Sequence, residues 1–182
     1  MRRVLLAFLV SCCACSATQA TSQPTASPEP TASPTAAPVI EPAQPPERPP
    51  AFVLPNARLT PGAVATTDTS LVCHRSTATI RPPVSYTQAL KRAQIAQYGY
   101  TDRFLSDYEE DHLVALELGG APRDPRNLWP EPRYTFPGAA QKDTVENYLH
   151  RAVCYGTMPL TTAQHDIATD WFAVWVRIGR PS

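Results

Sequence analysis

The apolar positions of this chain fall into a few patterned stretches. In Thr87 to Tyr98, Leu90, Ala93, Ile95 and Ala96 supply an apolar face while Lys91 and Arg92 fall elsewhere, and Gly99 stops the run, so the spacing predicts a helix. From about Ala139 to Cys154, Val145, Leu149 and Val153 at fourfold spacing predict a second helix. A third starts after Leu160, where Thr161 or Thr162 can cap it, and runs through Trp171 to Val176. Trp171 and Trp175 share one face of it and read as core aromatics.

Between these stretches the pattern changes. Residues 51–85 are irregular, broken by Pro55, Pro61, Pro82 and Pro83, and the β-branched runs at 64–69 and 77–80 predict short edge strands. From Tyr108 the chain is acidic as far as Asp111, then apolar from His112 to Leu118, then broken by Gly119-Gly120. That sequence predicts an extended segment followed by a turn. Residues 121–136 hold Pro122, Pro125, Pro130 and Pro132 and predict a loop with at most one short strand around Leu128.

The first fifty or so residues obey different rules. Arg2 and Arg3 precede the apolar run Val4 to Val10 and a small-residue stretch to Ala17, the order of an export signal within residues 1–20. That apolar run is far shorter than the roughly 20 residues needed to span a bilayer. Leu9-Val10-Ser11-Cys12 resembles a bacterial lipobox, which makes Cys12 the candidate lipidation site; plain secretory cleavage near Ala17 or Ala20 is the alternative. Both imply an exported protein, either a cell-envelope lipoprotein whose contact with membrane is its lipid anchor, or a secreted one. Residues 21–55 read as a tether rich in Pro, Thr, Ala and Ser, too polar to bury a core, and the remaining domain is expected over 56–182.

Arg2, Arg3 and Arg48, and Glu29, Glu41 and Glu47, are three of the sixteen charges on each side, so thirteen cations face thirteen anions from residue 51 onward. No basic field marks the domain as a nucleic-acid binder. Its cysteines are Cys73 and Cys154, which in an oxidising compartment are expected to form a disulfide closing a loop worth on the order of 4 kcal/mol. Scattered histidines without short paired spacings argue against a zinc site.

Asp111 and His112 are adjacent, Gly119-Gly120 turns the chain, Asn127 follows fifteen residues after the histidine, and a helix comes next. In this order the sequence resembles the HNH, or ββα-metal finger, nucleases over Tyr108 to Cys154. More broadly, Glu110-Asp111-His112, Leu116-Glu117-Leu118-Gly119-Gly120, Asn127-Leu128-Trp129-Pro130-Glu131-Pro132 and Lys142-Asp143…Glu146-Asn147…His150 look like a group of small exported bacterial proteins with HNH-like sequence. The resemblance implies an α+β fold: a single small domain with a ββα-metal finger core and flanking helices.

It also implies chemistry. His112 would be the general base, Asn127 would orient it, and Asp111 would be an oxygen ligand for a divalent ion, Mg²⁺ first among them. The family takes its second ligand from early in the finger helix, where this chain has residues 135–137 and no usual ligand; Asp143, Glu146, Asn147 and His150 are the substitutes available. Phosphate contacts would have to come from Arg123, Arg126, Arg133, Lys142 and Arg151 gathered on one side. Residue by residue, blander roles exist: Asp111 paired to Arg123 or Arg126, His112 as a satisfied core histidine, Asn127 as a turn residue. The function expected is metal-dependent hydrolysis of DNA or RNA outside the cytoplasm, and the alternative is a noncatalytic envelope module that binds a protein or cell-wall partner.

Overall fold

The computed structural model describes residues 52–180, all within one compact unit, Ala43–Ser182. The export signal, Cys12 and the proline-rich tether to residue 51 lie outside the described residues. Six elements follow in order: α1 Thr69–His74, α2 Val84–Gln97, β1 Tyr108–His112, β2 Leu128–Pro132, α3 Ala139–Cys154 and α4 Leu160–Arg177. The class is α+β, with helices around one two-stranded antiparallel sheet. Among the described residues no helix is long and apolar enough to cross a membrane.

The core lies between α3, α4 and the loop after β1. Val145, Leu149 and Val153 of α3 meet Ile167, Trp171 and Trp175 of α4, joined by Leu113, Leu118 and Trp129. Phe52, Val53 and Leu54 also pack here, the Phe52 ring lying 5.1 Å from Trp171 and 4.8 Å from Phe172. The packed chain therefore includes residues that composition alone assigns to the tether. A hydrophobic residue behind a proline-rich run is cheap to bury once a groove between two aromatic rings exists.

Neither expected edge strand forms: the 64–69 run is irregular apart from one bridge and turns helical only at Thr69, and residues 77–79 are helical instead. Thr69–His74 is α1, because Asp68 caps it by accepting from the Leu71 N–H, and residues 77–79 form a 3₁₀ turn. Val64 makes only an isolated bridge to Gly120. The buried side of α2 also differs from the expected one: Lys91, Gln94 and Ile95 face inward, whereas Ala93 and Ala96 are exposed. The sheet gives the reason, since Gln94 donates to the Leu128 carbonyl at 2.7 Å and Lys91 to the Tyr108 carbonyl at 2.8 Å. Polar groups were needed against the backbone of a sheet with two edges.

Cys73 of α1 and Cys154 of α3 form the expected disulfide, with Cα atoms 5.6 Å apart. It fastens the short first helix to the end of the third. α4 is kinked at Asp170, whose φ of −163° is extended and whose Oδ1 accepts from the Ala173 N–H, so the second half of the helix starts with its own cap.

Candidate functional site

β1 and β2 pair antiparallel with Glu109 opposite Glu131, Asp111 opposite Trp129 and His112 opposite Leu128. Side chains alternate along a strand, so Glu109, Asp111, Trp129 and Glu131 share the face over which Lys142 of α3 lies. Tyr108, Glu110, His112 and Leu128 share the face toward α2. The adjacent pair Asp111-His112 is thereby split across the hairpin.

On the α3 face the ammonium of Lys142 is the hub. Its Nζ lies 2.7 Å from Asp111 Oδ2, bonds Glu146 Oε1, and donates to the His112 carbonyl at 2.9 Å, with the side chain 1% exposed. Burial opposes the charge, but Asp111, Glu146 and Glu131 outweigh it and hold Lys142 above its ordinary pKa. Trp129 Nε1 donates to the same Asp111 Oδ2 at 3.2 Å. Asp111 Oδ1 makes no hydrogen bond among the described residues, and Asp111 is partly exposed. Glu131 is 2% exposed, and neither of its carboxyl oxygens has a hydrogen-bond partner. Burial, reinforced by the charge of Asp111, pushes its pKa up.

His112 is 7% exposed, and its Nε2 lies 3.0 Å from the Pro122 carbonyl. A carbonyl only accepts, so Nε2 carries the hydrogen and Nδ1 keeps its lone pair. Burial lowers the imidazole pKa, against the opposing effects of the Pro122 bond and Asp111, which leaves the ring neutral at pH 7. Asn127 is fully buried and does not touch that ring: its Oδ1 accepts from the Val114 N–H at 2.9 Å, and its Nδ2 donates to the carbonyls of Val114 at 3.0 Å and Ala121 at 3.2 Å. It locks the loop that presents the Pro122 carbonyl, so any orientation of His112 by Asn127 passes through the backbone. Gly120 is required there, because a Cβ would come 1.8 Å from the Val114 carbonyl oxygen and 2.7 Å from Asn127 Nδ2.

The helix candidates separate. Asp143 is exposed, and burial of part of its carboxyl, followed by the charge of Asp111, raises its pKa, while Lys142 and Arg81 lower it. The charge of Arg81 also lowers the pKa of His112. Glu146 turns inward to Lys142. Asn147 is exposed and donates to the Asp143 carbonyl of its own helix at 2.8 Å. His150 stands beside the disulfide, its Nε2 3.5 Å from Cys154 Sγ. At 1.5 Å per residue, His150 is about 10 Å along the axis from Asp143, too far to share an ion with it.

The expected phosphate contacts also need correction. Lys142 is sealed inside the acidic cluster and unavailable to a phosphate. Arg126 is held by Asp124 at 2.7 Å and Arg133 by Glu109 at 3.1 Å. Arg123 is exposed, its carbonyl accepting from the Tyr86 hydroxyl at 2.5 Å. Neither Arg123 nor Arg126 pairs with Asp111; that partner is Lys142.

No family model, curated protein or solved structure matches the chain. The donor chemistry must be read from the residues themselves. Among the described residues, the donor atoms of Cys73, His150 and Cys154 all lie within 4.8 Å of one another. Its sulfurs are spent on their mutual bond, and the thiolate is the metal ligand, so a cation there requires the reduced pair. Glu131 is the residue of this cluster that sequence reasoning missed. Glu131 was detectable: extending the strand around Leu128 to Pro132 puts it, by alternation with Trp129, beside Asp111.

Proposed function

We propose that this chain is an exported, metal-dependent phosphodiesterase of the ββα-metal finger kind, acting on DNA or RNA. The observation that carries the reading is the tautomer of His112. Its Nε2–H is committed to Pro122 at 3.0 Å, and burial keeps the ring neutral, so Nδ1 is a base ready to take a proton. The order β1, β2, α3, with Asp111 at the end of β1 and Asp143 early in α3, supports the finger architecture.

The donor set fits a hard divalent ion. Asp111 has an uncommitted Oδ1 at a partly exposed position, Asp143 lies within reach of its charge at the solvent edge, and Mg²⁺ takes one or two carboxylates while keeping waters. When bound, such an ion polarises a phosphate and neutralises charge on the departing oxygen. The protein does the rest. Lys142 and Trp129 fix Asp111 through Oδ2, leaving the other oxygen pointed by default. His112 Nδ1 accepts the proton of an attacking water, and the Asn127-locked loop holds the ring in register. Arg81, exposed and with its charge felt at His112 and Asp143, is the cation available to a phosphate oxygen.

One observation favours the noncatalytic envelope module instead: Lys142 already neutralises Asp111, and His112 is almost covered. Incubating the chain with plasmid DNA and with RNA, in Mg²⁺ or Mn²⁺ and in chelator, separates the two. The expected result is cleavage in the divalent ion alone, reduced roughly 10²- to 10⁴-fold in His112→Ala. Equal cleavage by His112→Ala overturns the base assignment, and absence of cleavage under every ion leaves the binding module. Export, with Cys12 as lipid anchor, rests on the N-terminal sequence, and labelled palmitate incorporation lost in Cys12→Ser tests it.

A further inference from the structure

We propose that the groove along the exposed side of α3, lined by Thr144, Asn147, Tyr148, Arg151 and Ile178, binds unpaired nucleotides that flank the cleaved phosphate. The inference rests on the phosphodiesterase reading for the direction of the strand, but it concerns binding and is tested without cleavage. The groove holds about 530 Å³, within the roughly 300–1,000 Å³ range of small-molecule sites.

Its lining matches a nucleotide group by group. Tyr148 is 39% exposed and offers a ring on which a base can stack. Asn147 commits its Nδ2 to the Asp143 carbonyl, so its Oδ1 is left to accept from a base edge. Arg151 is exposed and makes no ion pair among the described residues, unlike Arg126, Arg133 and Arg177, each held by a carboxylate. An unpaired guanidinium beside an exposed ring is the pair of groups a phosphate and its base require.

Position supports the same ligand. Arg151 follows Asp143 by eight residues on one helix, about 12 Å along the axis. That is the span of three or four stacked nucleotides at about 3.4 Å each. A domain of zero net charge has no broad field to hold a nucleic acid. Local contacts of this kind are then what keeps a strand at the Asp111–Asp143 edge. Stacking needs an exposed base face, so the ligand is single-stranded.

The test uses the full chain in EDTA at low salt with a short fluorescein-labelled oligothymidylate, read by anisotropy. Tyr148→Ala and Arg151→Ala should each weaken binding about tenfold with unchanged melting temperature, and His112→Ala should bind as the wild type does. Arg151→Ala should also flatten the dependence of log K on log salt by about 0.7. Binding within about twofold of wild type in both variants overturns the proposal. So does a wild type that fails to bind the oligonucleotide, or prefers the duplex. Binding that depends on Tyr148 and Arg151 in a chain that cleaves nothing supports the groove and removes the nuclease reading. Cleavage with binding undiminished in both variants does the reverse.

Discussion

Two lysines are buried against opposite faces of the same hairpin, and their ammonium groups are satisfied in opposite ways. Lys142, on the α3 face, meets charge: Asp111 at 2.7 Å and Glu146. Lys91, on the α2 face, makes its direct contacts to dipoles, donating to the carbonyls of Leu105 and Tyr108 at 2.8 Å each, with the charges of Glu110 and Glu109 acting without an ion pair. Burial lowers the pKa of Lys91, helped by Arg133, whereas the carboxylates raise that of Lys142. The difference shows a division of labour. The α3 face concentrates charge and fixes the Asp111 carboxylate, while the α2 face secures the backbone of β1 and so the place of His112.

The comparison breaks most visibly at Lys142. Lys142→Ala should cost about 3–5 kcal/mol in urea unfolding, because it strands buried carboxylates without a counter-charge. A loss below about 1 kcal/mol means that the cluster is solvated. Lys91→Ala should cost less, about 1.5–3 kcal/mol, the range for hydrogen bonds to a charged group. Equal losses at the two lysines would erase the distinction between charge and dipole partners.

The third effect is a slope against pH. Both oxygens of Glu110, on the α2 face, lack hydrogen-bond partners, and burial pushes its pKa to about 8. Folded chain keeps this proton where unfolded chain loses it. The stability it carries is therefore full below about pH 4.5 and is lost as pH rises to about 8, at up to roughly 1.4 kcal/mol per pH unit. Glu110→Gln should flatten unfolding free energy against pH in that window. An unchanged slope would mean that Glu110 ionises as freely as in the unfolded chain.

Local signals sufficed wherever the decision was local. The helix over 139–154 was legible from Val145, Leu149 and Val153, which the structure buries, and the Cys73–Cys154 bridge from the expectation of export and the cysteine count. The extended segment at Tyr108 and the glycine turn were legible too, since a Cβ at Gly120 has no room. The inward side of α2 was not, because Lys91 and Gln94 are polar and are drawn in by carbonyls far along the chain.

For the site, the sequence by itself determined which chemical groups exist: Asp111, His112 and Asn127 in an order that places a base and a carboxylate on one hairpin. Only the tertiary structure decided how those groups are spent. Lys142 left the list of phosphate contacts because a fully buried ammonium needs counter-charges, and Asp111 and Glu146 supply them. His150 left the ligand set because helical rise carries it away from Asp143, Asn147 spends its Nδ2 on the Asp143 carbonyl, and Glu131 entered the cluster through strand register. Hydrogen-bond partners and counter-charges are set by distances between residues far apart in the chain, and those distances exist only once the chain has folded.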